Sequence, residues 1–86
     1  CDPSNQSVKA DLESVRGSKA LRENRQDEAA IHFRESARIY AAMPETAVTL
    51  NNGSIAYTQL FHVTGQDEDF QKALQMLERA FSLEHL

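Results

Sequence analysis

Two prolines and three glycines are the strong helix breakers in this 86-residue chain, and they stand far apart: Pro3, Gly17, Pro44, Gly53 and Gly65. Proline removes a backbone donor and clashes with the preceding turn, and an interior glycine costs a helix roughly 1 kcal/mol relative to Ala. Between these positions the chain is rich in Ala, Leu, Glu, Gln and Arg, residues that lose little freedom on entering a helix. No alternating run of β-branched residues is long enough for a strand. The chain is therefore predicted to be all-α, with four helices.

The first helix is expected to start near Ser4 to Ser7 and run to about Asn24, with Val8, Leu12, Val15 and Leu21 as its apolar stripe. Asn24 suits the left-handed residue that closes a helix, and Gly17 suits a place where another helix passes close by. The second is expected from Asp27, a capping residue, to about Met43, burying Ala29, Ala30, Phe33, Ala37 and Tyr40 before Pro44 ends it. The third runs from about Glu45 to Val63 along Ala47, Leu50, Ser54, Tyr57 and Phe61. Its Asn51-Asn52-Gly53 would ordinarily mark a turn, but the helical period continues on both sides. Thr64-Gly65-Gln66 closes it. The fourth follows Asp67-Glu68-Asp69, acids that favour a helix start, and carries Phe70, Ala73, Leu74, Leu77, Ala80, Phe81 and Leu83.

Residues 1–7 read as a polar tether and 8–86 as one domain, with hairpin one over about 8–43 and hairpin two over about 45–84. The expected core is Leu12, Val15, Phe33, Tyr40, Leu50, Tyr57, Phe61, Leu74 and Leu77. Phe70, Leu77, Phe81 and Leu83 form an apolar face on the last helix that needs cover, expected from another chain or from residues outside this sequence.

The two hairpins echo each other. Asp27-Glu28-Ala29 leads to Phe33 four residues on, and Gln71-Lys72-Ala73 leads to Leu77 and then Ala80. With Gly17, Asn24 and Ser36 in the first copy and Ser54, Tyr57, Gly65 and Phe70 in the second, the chain resembles the tetratricopeptide repeat family over roughly residues 10–84. It is similar to a longer bacterial variant: Ala29 and Ala73 stand 44 residues apart, against about 34 for the standard repeat. Trp is absent, Arg16 takes a place usually held by a large apolar residue, and Pro44 lies late. The resemblance implies two stacked antiparallel hairpins, a fragment of a right-handed solenoid. It also implies a concave groove on the first helix of each pair that holds an extended peptide or a partner's helix. Carried onto this sequence, that groove is Asp11, Ser14, Ser18 and Arg22, then Asn51, Ile55, Thr58 and Gln59.

Charge narrows the function classes. Thirteen acidic against nine basic residues give −4, which argues against nonspecific nucleic-acid binding. The imbalance lies in residues 44–86, with six acids and two bases. His32, His62 and His85 lack metal-ligand spacing, Asp67-Glu68-Asp69 lacks the calcium-loop pattern, and no phosphate-cradling glycine loop or nucleophile motif occurs. No cofactor is expected. Cys1 followed by a polar run looks like a bacterial lipoprotein terminus, cut and acylated on that cysteine. A chain processed in that way would sit on the periplasmic side of the cell envelope; otherwise a cytoplasmic location is expected.

These readings converge on a non-enzymatic scaffold that docks a protein partner or a second copy of itself. The alternative is a lipid-anchored accessory subunit of a membrane complex. A third reading, an enzyme or small-ligand binder, would use Asn51, Tyr57 and His62.

Overall fold

Three short connections turn the chain back on itself, and each carries its own stop signal. The computed structural model describes residues 3–84: α1 spans Pro3–Arg22, α2 Gln26–Ala42, α3 Ala47–Thr64 and α4 Asp67–Glu84, with no strand among the described residues. After α1, Asn24 takes the left-handed conformation (φ 63°). Its N–H donates to the Leu21 carbonyl at 3.1 Å and the Arg25 N–H to the Ala20 carbonyl at 2.8 Å, the paired bonds of a Schellman closure. After α2, Met43 is extended ahead of Pro44, as the proline ring requires. Thr46 and Thr49 then cap α3 reciprocally, each hydroxyl accepting the other's backbone N–H at 3.0 and 3.1 Å. Asn51-Asn52-Gly53 is helical throughout. Gly65 ends α3 at φ 70°, its N–H bonded to the Phe61 carbonyl.

Two ends differ from expectation. Arg25, not Asp27, is the residue before α2, and its side chain makes no capping bond; Asp27 and Glu28 sit in the first turn, where they stabilise the positive end of the dipole. Helix α1 begins at Pro3, so residues 3–7 of the expected tether are helical. A proline is well placed there, because its φ is already helical and the first turn has no use for its missing N–H. Cys1 and Asp2 lie outside the described residues, as do His85 and Leu86.

The extensive packing is α1 on α2, α2 on α3 and α3 on α4, in a thin body of 42 × 30 × 16 Å. Its buried apolar side chains are mostly small: Ala10, Ala20, Ala29, Ala37, Ala56, Ala73 and Ala80 surround Phe33, Ile39, Tyr40, Leu50 and Leu60. Small side chains let backbones approach. A methyl built on Gly17 would lie 2.6 Å from Phe33 Cε1, and one on Gly53 would strike the end of Met76.

This packing corrects the expected core. Phe33, Tyr40 and Leu50 are buried, but Leu12 and Val15 are 46% and 65% exposed, and Leu74 and Leu77 are also exposed. Tyr57 and Phe61 are half-buried. The physical reason is visible on α1, where Ala10, Gly17 and Ala20 lie nearly opposite Val8, Leu12 and Val15 at about 100° per residue. The small face admits α2, and the larger face is left outside. On α3 the buried face is rotated away from the expected stripe, toward Gly53, Ala56 and Leu60.

Candidate interaction surfaces

Of the residues expected to line a groove, Ser14 on α1 donates its Oγ–H to Gln59 Oε1 on α3 at 3.0 Å, and Ala10 of α1 and Ala56 of α3 belong to one buried cluster. Asp11 accepts a 2.5 Å hydrogen bond from the Tyr40 hydroxyl, and Thr58 Oγ1 donates to the Ser54 carbonyl of its own helix at 2.8 Å. Four of the eight groove residues thus bond within the fold. Ser18, Arg22, Asn51 and Ile55 are exposed.

The same region carries two interhelical links that no local sequence pattern announces. Burial, and then the bond to Asp11, pushes the Tyr40 hydroxyl up to about 12. Glu13 Oε2 faces His32 Nδ1 at 2.9 Å and Glu13 Oε1 accepts from Arg16 at 3.1 Å. The His32 bond holds the Glu13 carboxyl below its ordinary range, against an opposing effect of burial. Nineteen residues separate Glu13 from His32, so only the α1–α2 register brings them together.

Each of the two outer helices carries a row of exposed apolar side chains. On α4, Phe70, Leu74, Leu77 and Phe81 are exposed and Leu83 is half-buried; the spacing puts the first four on one flank. Phe70 is steadied by Phe61, with ring centroids 5.3 Å apart and planes at 47°. On α1, Val8, Leu12 and Val15 form the corresponding exposed stripe. The signal that could have placed this stripe outside was the small face opposite it.

Between α2, α3 and α4 lies an open cleft of about 200 Å³, lined by Met43, Glu45, Tyr57, Lys72 and Met76 among others. Lys72 Nζ stands 5.6 Å from the Tyr57 ring centre, within cation–π range. Of the three residues of the ligand-binding reading, Tyr57 lines this cleft and Asn51 and His62 do not. Among the described residues, no three His, Cys, Asp or Glu side chains are grouped to hold a metal ion, and no helix is long and apolar enough to cross a membrane. Lipidation at Cys1 falls outside the described residues. Comparison with protein-family models, curated proteins and solved structures matched none of them to this chain.

Proposed function

We propose that this chain is a non-enzymatic, tetratricopeptide-like helical module that docks other proteins. The observation that carries the reading is where its large apolar side chains stand. Among the described residues, eleven of them are exposed, from Val8 on α1 to Phe81 on α4, while only Phe33, Ile39, Tyr40, Leu50 and Leu60 are buried. Each exposed Å² of apolar surface is a gain of about 25 cal/mol waiting for cover, and exposed apolar patches of this kind mark interaction sites. The repeat reading has its own support: the small residues carried over from that pattern, Gly17, Ala29, Ser36, Ser54, Ala73 and Ala80, are all buried.

Purification of the native protein under mild conditions tests the proposal. A complex of fixed stoichiometry, with a partner or with further copies, is the expected result. A strictly monomeric protein with no partner would contradict it.

The lipid-anchored reading rests on Cys1 and the polar residues after it. Mass spectrometry of the native N-terminus decides it: an acylated Cys1 is expected, and an unmodified Cys1 or additional residues before it would remove the reading.

A further inference from the structure

The two exposed apolar stripes differ in what surrounds them. On α4, Asp67, Glu78 and Glu84 are exposed and stand three or four residues from Phe70, Leu74 and Phe81, hence beside them on the helix surface. The two cations of α4 lie on its other flank, each already beside a carboxylate: Lys72 Nζ is 3.4 Å from Glu68 and Arg79 Nε is 3.1 Å from Glu45. With five acids and two bases, α4 carries −3. On α1, Lys9, Arg16 and Lys19 are exposed and stand three or four residues from Leu12 and Val15. The one acid at that spacing from Val8 and Val15, Asp11, is bonded to Tyr40. With four bases and two acids, α1 carries +2. Arg16 and Lys19 have carboxylates within 4 Å, at Glu13 and Glu23; these pairs, like those of Lys72 and Arg79, are exposed and weak, so it is the position of the charges beside each stripe that distinguishes the two helices.

Because the extensive packing joins only consecutive helices, α1 and α4 form the two ends of the stack. We propose that these ends bind each other between copies: the acidic-flanked stripe of α4 on one chain packs against the basic-flanked stripe of α1 on the next. The contact continues the helix-on-helix packing already seen inside the chain. It buries the α1 stripe from Val8 to Val15 against part of the longer α4 stripe from Phe70 to Phe81 and sets opposite charges across the rim. A symmetric α4-on-α4 contact would instead oppose like charges. A head-to-tail contact is heterologous, so it does not close at two copies unless the rotation makes a ring. This inference rests on the docking reading above and names a second copy of the chain as occupant.

Sedimentation velocity with the full chain tests it, using two variants. Leu74→Glu/Leu77→Glu spoils the α4 end and leaves α1 intact; Leu12→Glu/Val15→Glu does the reverse. The wild type should show a sedimentation coefficient that climbs with concentration past that of a dimer, and falls back in high salt. Each variant alone should stay monomeric, and an equimolar mixture should form a dimer that grows no further, because one good end of each kind remains. Should either double substitution fail to fold by circular dichroism, Asp67→Lys/Glu78→Lys weakens the α4 end by charge alone and should shift the association to higher concentration. A wild type that stays monomeric throughout overturns the inference, as does an α1-end variant that still dimerises by itself. If native purification yields a different protein as partner while the isolated chain is monomeric, self-association fails and the docking reading stands.

Discussion

Gly17 offers the sharpest test of how α1 and α2 fit. In an exposed helix interior, Gly→Ala stabilises by about 1 kcal/mol, because alanine loses less backbone freedom on folding. Here the new methyl would lie 2.6 and 2.7 Å from Cε1 and Cδ1 of Phe33. That ring is 1% exposed, so it has no solvent to move into. Overpacking a filled core costs roughly 1–3 kcal/mol, which equals or exceeds the propensity gain. Gly17→Ala is therefore expected to lower the unfolding free energy by up to about 2 kcal/mol. Urea titration followed by circular dichroism reads this as a lower midpoint at unchanged slope. Gly53→Ala is the comparison, because its new methyl meets chiefly the flexible end of Met76, with Tyr40 Cβ at 3.3 Å; it should be better tolerated. Phe33→Leu, which removes the ring and leaves a smaller side chain, should cost less in the Gly17→Ala background than in the wild type. A Gly17→Ala protein more stable than wild type would refute the close approach of these helices.

Two further expectations follow from buried polar groups. Ser36 is fully buried and its hydroxyl has no hydrogen-bond partner, so Ser36→Ala should raise stability by about 1 kcal/mol, seen as a rise in Tm of roughly 4–8 °C. Tyr40, pushed up to about 12 from the ordinary phenol value of 10.0, chiefly by burial, keeps its phenol neutral in the folded state. Its contribution is full below pH 10, where the unfolded phenol is still protonated, and is lost as pH rises toward about 12. Urea midpoints measured across that interval should fall for the wild type and fall less for Tyr40→Phe; parallel curves would count against the Asp11–Tyr40 contact.

The helices and most of their ends were legible because their signals are local. Asn24, Pro44 and Gly65 act on the backbone within a residue or two, and so does the helical period that overrides Asn51-Asn52-Gly53. Which face turns inward was less legible. A period shows that Val8, Leu12 and Val15 share a side, but not that the side is covered. In this chain the small residues Ala10, Gly17 and Ala20 took the covered side of α1, because close helix approach selects for size as much as for hydropathy. For the residues expected to line a groove, the bonding was not legible. Ser14 and Gln59 were placed on facing helices, but their bond, and those of Asp11 to Tyr40 and Glu13 to His32, depend on interhelical register.

Helix α1 presents its larger apolar side chains outward, and the unfolding free energy of a Val8→Ala/Leu12→Ala/Val15→Ala variant measures this directly. With these side chains 66%, 46% and 65% exposed, and alanine the better helix former, the triple variant should stay within about 1 kcal/mol of wild type. Truncating side chains buried in a core costs about 2–5 kcal/mol for a leucine alone; a loss of that size would place the stripe inside and contradict the account.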